Sequence, residues 1–376
     1  MKHLVLVWLG IVFPLLAGAS TSLGYEEQRD RPTAGGEPVF ATEADVLLNT
    51  VKNLIDAQDY QAAEKLAEQL TATSPDMVDG WMMLGYARSL NGKYDLSNAA
   101  YDRALDMGAN PKDVLLRKAY NCRKLDDPRR TRQCFEALLA LEKSPEILVQ
   151  FGAFESATEN YAEALRLFTE ALEMKPDDLE VIDAITRVEE KRGDSAQLKY
   201  WLEKGLAVEP ANTRFLKRLS LVYLNEQNYD LSVNYLKKLL AVDPENSGAY
   251  RNMGIAYYQL GDKERAKAAF EKVKTFGGAM DGLYGPLADC YRSTGQRTAA
   301  LAVIQEGIEQ RDQEAWLYSV WGKLLEDEQD YDAAIAKFAK AVELQEEPWS
   351  GYAKKQIARQ EQLKKRAELI AEQKEG

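Results

Sequence analysis

The chain of 376 residues has one histidine, three cysteines and none of the common catalytic motifs. Its one histidine is His3, so histidine triads, histidine general bases and histidine metal sites are excluded from the rest of the chain. The chain also lacks a GxxxxGKS or GxxxxGKT phosphate loop, a GxGxxG turn after a strand, an HExxH pair and a CxxC pair. The sequence therefore predicts a protein with no cofactor, no small-molecule substrate and no enzymatic activity.

Positive charge is also scarce. The 48 lysines and arginines are outnumbered by 60 aspartates and glutamates, which gives a net charge of −12. Because binding to a phosphate backbone needs a cationic excess, no nucleic-acid partner is expected. Paired acids such as Asp126–Asp127 and Asp177–Asp178 lie at predicted turns, where solvated helix ends explain them without a catalytic role. The apolar fraction of 45% is sufficient for a folded core.

The first 19 residues have the form of a secretory signal peptide. Lys2 gives a positive start, residues 4–16 form an apolar run, and residues 17–19 offer small side chains for cleavage before Ser20. The run is too short to span a membrane, and no cysteine follows it to carry a lipid anchor. We therefore expect export to a bacterial periplasm, with membrane association only through a partner.

Residues 20–43 lack a hydrophobic period and contain many Gly, Pro, Ser and Thr residues. This composition predicts a disordered linker. Its simplest role is that of a spacer, and a binding tail is the alternative.

The rest of the chain is built from a recurring amphipathic helix. Asn160–Asp178 reads NYAEALRLFTEALEMKPDD, in which apolar residues recur at helical spacing and a proline ends the pattern. Related segments open on an aromatic residue at Tyr94, Tyr161, Tyr229 and Tyr331. Their separations of 67, 68 and 102 residues are about two, two and three times 34. A period of this length is typical of a solenoid of helix pairs.

The full pattern resembles the tetratricopeptide repeat, a pair of helices, A and B, with the consensus W-x2-L-G-x2-Y, then A-x3-F, then P. In the second copy Trp81, Leu84 and Gly85 follow this consensus, and the missing side chain of Gly85 lets helix B approach closely. The resemblance implies an all-α fold, a right-handed α-solenoid of about nine tetratricopeptide helix pairs over residues 44–348. The copies begin near Ala44, Val78, Lys112, Pro145, Leu179, Thr213, Ser247, Asp281 and Ala315.

Two copies depart from the consensus. The third has Ala119 at the glycine position and Pro128 where helix B begins, which a first helical turn tolerates. In the eighth, Pro286 would fall inside helix A if that helix began at Asp281. We therefore expect a late helix start, a bend of the solenoid or a longer loop there.

After the ninth copy, residues 349–376 have a sparse apolar stripe in a very polar helix. Because a solenoid needs a terminal element that covers its last open face, these residues are predicted to form a C-terminal capping helix and tail. A coiled-coil contact through the distal half of this helix is the alternative.

The resemblance also implies a binding surface, because helix A of each tetratricopeptide repeat turns one face towards a groove that holds a peptide or a helix. In the first four copies the groove positions are apolar or aromatic: Leu48, Met82, Met83, Tyr86, Leu116, Tyr120, Val149 and Ala153. In the fifth to seventh copies they are mainly basic or polar: Arg187, Arg214, Lys217, Arg218, Arg251, Asn252 and Tyr258. The first set suits an apolar helix or extended segment, and the second suits an acidic segment. About half of the apolar residues are expected to pack against a neighbouring repeat instead, and some of the cations to pair with nearby acids.

The cysteines leave two interpretations open. Cys122 and Cys134 fall on helix A and helix B of the third copy, where a disulfide could join them. The alternative is that these two residues and Cys290 are small buried side chains, which is the usual environment of cysteine.

These features predict an exported, non-catalytic scaffold or adaptor that binds a helix or extended segment of another protein in a concave groove. The alternative is a structural subunit of a cell-envelope assembly, such as secretion, pilus or polysaccharide-export machinery. Such a subunit would make permanent contacts through its convex face or its C-terminal helix.

Overall fold

The computed structural model of the protein describes residues 42–375, except for residues 279, 281 and 311–313. The predicted signal peptide and almost all of the predicted linker lie outside these described residues. The described residues form nineteen α-helices: α1 (Glu43–Asp56), α2 (Tyr60–Thr73), α3 (Val78–Leu90), α4 (Tyr94–Asp106), α5 (Pro111–Lys124), α6 (Pro128–Leu141), α7 (Pro145–Ala157), α8 (Tyr161–Met174), α9 (Leu179–Arg192), α10 (Ser195–Val208), α11 (Thr213–Asn225), α12 (Tyr229–Val242), α13 (Ser247–Gln259), α14 (Lys263–Thr275), α15 (Tyr284–Ser293), α16 (Arg297–Gln310), α17 (Ala315–Asp327), α18 (Tyr331–Glu343) and α19 (Trp349–Glu375).

The predicted all-α repeat fold is confirmed. Odd-numbered helices correspond to helix A and even-numbered helices, up to α18, to helix B. Helix A contacts helix B of the same repeat, for example α3 with α4 and α13 with α14. Helix B also contacts helix A of the next repeat, for example α12 with α13. In several places successive A helices also contact each other, as α1 does α3. The chain divides into two compact units, the first ending at Ala171 and the second beginning at Leu172, within α8.

The turn from helix A to helix B has a recurring conformation and helix cap in both units. An aspartate caps many of the B helices, because its carboxylate accepts a hydrogen bond from a backbone N–H in the first turn. The residue before each cap has a positive φ, for example +61° at Gln58 and +81° at Gly261. These aspartate caps are Asp59, Asp127, Asp194, Asp262 and Asp330.

The predicted glycine contact between helices A and B is present. A Cβ atom built on Gly85 would lie 2.5 Å from the Tyr101 ring, and one on Gly152 would lie 2.8 Å from the Phe168 ring. Gly254 and Phe270 repeat the arrangement in the second unit at 2.5 Å. The three rings are at most 2% exposed. Glycine is therefore required at this position so that an aromatic knob from helix B can reach the backbone of helix A.

The first helix of the eighth repeat begins late, which is one of the three arrangements predicted from Pro286. Its predicted first residue, Asp281, lies outside the described residues, and α15 begins at Tyr284. Pro286 then lies in the first turn of α15. Backbone N–H groups in the first turn have no acceptor within the helix, so the missing N–H of proline costs no hydrogen bond there.

At the N-terminal end of the described residues, Thr42 caps α1 and shares a reciprocal capping box with Asp45. The helix therefore begins at Glu43, inside the range predicted for the linker.

The C-terminal helix α19 continues the repeat register. It begins at Trp349, 34 residues after Ala315 begins α17. Trp349 and Tyr352 pack against the buried cluster around Phe338 of α18, as a following helix A would. At the position that corresponds to Gly322 of α17, however, α19 has Gln356, so no space is left for an aromatic ring from a further helix B. No helix in the described part of the chain is both long and apolar enough to cross a membrane.

Candidate protein-binding surfaces

In the first unit, helices α3, α5 and α7 each place a pair of apolar or aromatic residues four positions apart on one helix face. All six side chains are half-buried, so they are neither part of the closed core nor fully exposed. We call these six residues the apolar patch: Met82, Tyr86, Leu116, Tyr120, Val149 and Ala153. It contains six of the eight apolar or aromatic residues that the sequence predicted for the groove in the first four copies, the other two being Leu48 and Met83.

Two cations of α5 lie against the tyrosines of the apolar patch. The Arg117 guanidinium lies 4.9 Å from the centroid of the Tyr86 ring, and the Lys124 ammonium lies 5.6 Å from that of Tyr120. Neither cation pairs with a carboxylate of the described residues. Burial raises the pKa of the Tyr86 hydroxyl, so this side chain is neutral at pH 7. The apolar patch therefore has a cationic edge whose charges have no counterion within the described fold.

The other predicted apolar residues are more enclosed than a groove requires. Leu48 is only 6% exposed, because α1 packs against both α2 and α3, so the prediction of an open groove position is wrong for this residue. Met83 packs against the buried cluster that contains Val51 and Leu84. Met82 also packs against a buried cluster, the one around Tyr101, and contributes only its remaining surface to the apolar patch.

In the second unit, five cations lie on α9, α11 and α13. We call them the basic patch: Arg187, Arg214, Lys217, Arg218 and Arg251. At its centre is the Asp183 carboxylate, which is 2% exposed and which sequence reasoning did not single out. Asp183 accepts hydrogen bonds from Arg214 at 2.8 Å and from Arg218 at 3.1 Å. The Arg187 Nε atom lies 3.5 Å from the same carboxylate.

The basic patch is only partly neutralised. Arg218 also donates to Glu190 at 2.8 Å, and Arg214 lies 3.5 Å from Glu180. Asp183, Glu180 and Glu190 thus pair with three of these arginines. Lys217 is exposed and forms no ion pair with a described residue. Asn252 is half-buried next to Arg251 on α13. The prediction that some cations pair with nearby acids is confirmed for Arg187, Arg214 and Arg218.

Tyr258 belongs to a different network. Its hydroxyl donates to Asp289 at 2.8 Å, and the Lys263 ammonium lies 3.0 Å from its ring centroid. Burial and the neighbouring Asp289 raise the pKa of Tyr258. Burial alone would raise the pKa of Asp289, but hydrogen bonds from Tyr258 and the charges of Lys263 and Arg292 lower it. Tyr258 therefore joins α13 to α15 within the fold, and Asp289, its partner, was not predicted from the sequence.

The structure contains no bond between Cys122 and Cys134, which was one of the two interpretations of the sequence. Cys122, Cys134 and Cys290 are all buried and carry free thiols in the structure. Burial raises the pKa of Cys134 to about 11, and the neighbouring Cys122 thiol contributes to the same shift. The two thiols are thus neighbours without a bond between them, and Cys122 accepts a weak hydrogen bond from Asn98 at 3.8 Å.

Two clefts lie between successive B helices. One, of about 520 Å³ in the first unit, is lined in part by Arg132 and Arg166, and the other, of about 390 Å³ in the second unit, by Lys237 and Arg265. Arg166 pairs with Glu163 at 2.6 Å and Arg265 with Asp262 at 2.5 Å, so local acids already balance these cations. Within the described residues, no group of three His, Cys, Asp or Glu side chains is placed to hold a metal ion.

Two segments match family models described as tetratricopeptide repeat, residues 48–114 in the first unit and residues 223–275 in the second. The chain therefore contains tetratricopeptide repeats, as the sequence pattern indicated. No curated protein sequence matches the chain.

Several solved structures are similar to the chain in fold. The C-terminal part of a TPR repeat-containing protein from Cytophaga hutchinsonii superposes with a TM-score of 0.51 at 14% identity, over 61% of this chain and 95% of that one. A tetratricopeptide repeat protein from Parabacteroides merdae gives 0.42 at 19% identity, over 66% and 98%. A structure described as Pseudomonas aeruginosa pilF gives 0.37 at 17% identity, over 54% and 93%. At these identities the likeness concerns the fold alone.

Proposed function

We propose that the protein is an exported, non-catalytic scaffold or adaptor that binds a helix or extended segment of another protein on its A helices. Tetratricopeptide repeats in general mediate protein–protein interaction. The observation that carries the proposal is the apolar patch, in which three consecutive A helices each leave a pair of apolar side chains half-buried. Beside it lie the cations Arg117 and Lys124, neither of which pairs with a carboxylate of the described residues. Apolar and aromatic side chains with a polar edge are typical of protein-binding surfaces.

The size of the apolar patch sets the expected affinity. Covering on the order of 300 Å² of apolar surface contributes roughly 7 kcal/mol before the cost of association. After that cost, the patch alone supports binding in about the micromolar to millimolar range. The basic patch of the second unit supports a separate contact with an acidic segment, because its Lys217 is exposed and forms no ion pair with a described residue. A partner that contacts both surfaces gains affinity from the linkage of the two sites.

Export to a periplasm is supported by the apolar run and small residues in the first 19 positions. The test is expression of the complete chain in a Gram-negative host, followed by fractionation and N-terminal sequencing. We expect the protein in the periplasmic fraction with Ser20 as its first residue. Recovery in the cytoplasm with residues 1–19 intact would contradict this part of the proposal.

The binding role is tested by comparative capture from a native envelope extract. One bait is the chain from Ser20 onward, and a second carries Tyr86→Glu and Tyr120→Glu in the apolar patch. A third bait carries Lys217→Glu and Arg251→Glu in the basic patch. The matched control carries Leu96→Glu and Leu141→Glu, two residues of α4 and α6 that are 52% and 55% exposed.

Circular dichroism first establishes that every bait is folded. We expect a partner that is retained by the native and control baits and lost from at least the apolar-patch bait. Equal capture by all four baits would contradict the proposed surfaces.

The alternative function, a structural subunit of an envelope assembly, is favoured by one observation. The distal part of α19 exposes Leu369 by 57% and Ile370 by 45%, beyond its last ion pair with α18, between Lys364 and Asp332. Light scattering distinguishes the two functions. A monomer that is stable alone supports the adaptor, and an obligate oligomer that Leu369→Ser and Ile370→Ser convert to monomer supports the structural subunit.

A further inference from the structure

The apolar patch lies close to a segment of the same chain whose chemistry complements it. We call residues 20–41, which lie outside the described residues, the N-terminal segment. This segment joins the fold at Thr42, which caps α1. Helix α1 contacts α3, the first helix of the apolar patch. Anything attached at Thr42 is therefore held next to the apolar patch by the covalent chain.

The composition of the N-terminal segment fits the patch. It contains the apolar or aromatic residues Leu23, Tyr25, Val39 and Phe40, and Glu26 and Glu27 directly follow Tyr25. The patch offers half-buried apolar side chains and two α5 cations, Arg117 and Lys124, without a carboxylate partner in the described fold. In a chain with a net charge of −12, cations without a counterion at an apolar surface indicate an acidic, aromatic occupant.

We infer that the N-terminal segment binds the apolar patch of its own chain and competes there with the partner. This inference rests on the surface of the proposed function and adds a regulatory element to it. Tyr25 would cover part of the apolar patch while Glu26 and Glu27 pair with the α5 cations.

The length of the chain allows this contact. An extended chain spans about 3.3–3.6 Å per residue, so Tyr25 can reach roughly 55 Å from Thr42. Successive A helices at packing distances of about 10 Å place the far edge of the apolar patch well within that reach. A tether of this length also gives an effective concentration of the order of 1 mM, so that even a weak contact is formed most of the time.

The probe for this inference is a fluorescent synthetic peptide with the sequence of residues 20–41. Its affinity is measured by anisotropy for two proteins: the chain from residue 20 to 376, and the same chain with residues 20–41 replaced by a Gly/Ser sequence of equal length. We expect the peptide to bind the Gly/Ser protein, and to bind the native protein at least tenfold more weakly because the tethered copy competes. No binding to the Gly/Ser protein, or equal affinity for both, would overturn the inference.

Two variants of the Gly/Ser protein locate the contact. Leu116→Ser with Tyr120→Ser should abolish peptide binding, whereas Leu96→Ser with Leu141→Ser should leave it unchanged. Equal loss in both would overturn the assignment to the apolar patch. A native chain that dimerises with rising concentration, as measured by light scattering, would show that the segment binds a second copy and would also overturn it.

A second readout uses the native chain alone. Trypsin cleaves the segment after Arg29, and a docked segment is cleaved more slowly. We expect the Leu116→Ser and Tyr120→Ser variant to be cleaved at least tenfold faster than the native chain, and equal rates would contradict docking. Peptide binding does not depend on the partner. If the peptide binds but capture of a partner does not depend on the apolar patch, only the proposed function is refuted. If capture depends on the apolar patch but the peptide does not bind, only this inference is refuted.

Discussion

The Arg132 guanidinium donates two parallel hydrogen bonds to the fully buried Glu155 carboxylate, at 2.7 and 2.8 Å. Asn160, which directly precedes α8, donates a third at 2.7 Å, so residues before and after α7 both hold this carboxylate. Glu189 occupies the corresponding position 34 residues later and is 3% exposed, but its partner is Arg192 of its own helix. The same residue type at the same repeat position is thus fully paired in one unit and weakly paired in the other.

This contrast predicts different effects of the same substitution. Glu155→Gln removes a charged acceptor of three hydrogen bonds and should destabilise the first unit by about 1–3 kcal/mol. Glu189→Gln removes a buried charge with one partner and should change stability by less than about 1 kcal/mol, or increase it. Denaturant unfolding with hydrogen exchange resolved by helix measures both. A larger loss for Glu189→Gln than for Glu155→Gln would contradict the assignment.

The pH dependence of Glu189 should have the sign of a buried carboxyl. Burial raises its pKa, and Asp194 adds to the shift against the opposing charge of Arg192. The unfolded chain therefore ionises first as the pH rises from about 4. The ionised Glu189 carboxylate lowers the free energy of unfolding of the native protein. This destabilisation is absent at low pH and complete above the folded-state pKa of Glu189. The stability of Glu189→Gln relative to the native protein should therefore rise between pH 4 and pH 7.

Glu64 provides the opposite control. Burial alone would raise its pKa, but hydrogen bonds from Lys93 and Asn91 lower it. The ionised Glu64 carboxylate therefore stabilises the native protein. This stabilisation is complete above the unfolded-state pKa of Glu64 and is lost as the pH falls through its folded-state pKa. Relative to the native protein, Glu64→Gln should thus become less stable as the pH rises from 4 to 7. Thermal unfolding of the variants across this range checks both signs, and parallel curves would contradict both assignments.

Two glycines of α13 test the packing of helix A on helix B. A Cβ atom on Gly254 would meet the Phe270 ring at 2.5 Å, whereas one on Gly248 would meet only Asn246, at 3.4 Å. Gly254→Ala should therefore destabilise the second unit by about 1–3 kcal/mol through overpacking. Gly248→Ala should be neutral or stabilise it by up to about 1 kcal/mol, because alanine favours a helix. Equal midpoints of unfolding would show that the ring moves aside without cost.

Asp183 should be required for the stability of the basic patch. Asp183→Asn removes the buried charge that three arginines share and should cost about 3 kcal/mol. Glu180→Gln is the control, because Glu180 is 78% exposed and its pairing with Arg214 contributes less than about 1 kcal/mol. Hydrogen exchange of α9 and α11 amides provides the measurement. Equal protection in the two variants would mean that Asp183 does not organise the patch.

The repeat fold could be predicted from the sequence because its signals are local and recur. The spacing of Tyr94, Tyr161, Tyr229 and Tyr331 located the B helices, and each of these residues begins a helix in the structure. The late start of α15 could be predicted from Pro286. A proline is not tolerated in the interior of a helix, so the helix has to begin close enough to Pro286 to place it in the first turn. The register of α19 was missed, although Trp349 lies 34 residues after Ala315, because the glycine of the consensus is replaced by Gln356.

The binding surfaces were harder to predict because exposure depends on neighbours that the period does not show. Leu48 occupies a groove position, yet α2 and α3 together enclose it. Asp183 lies at a predicted groove position, and only the structure shows that its partners are Arg214 and Arg218, one repeat later. Arg214 and Arg218 lie 31 and 35 positions after Asp183, but sequence spacing alone does not distinguish an acid that pairs with such a cation from one that does not.

The most direct test of the central claim, that a partner binds the apolar patch, is site-specific photo-crosslinking in cells. A photoreactive phenylalanine analogue replaces Leu116 or Val149 in the patch, or Leu96 or Leu141 on the exposed surfaces of α4 and α6. We expect one crosslinked partner from Leu116 and Val149 and none from Leu96 and Leu141. The same product from all four positions, or a product only from Leu96 and Leu141, would contradict the claim.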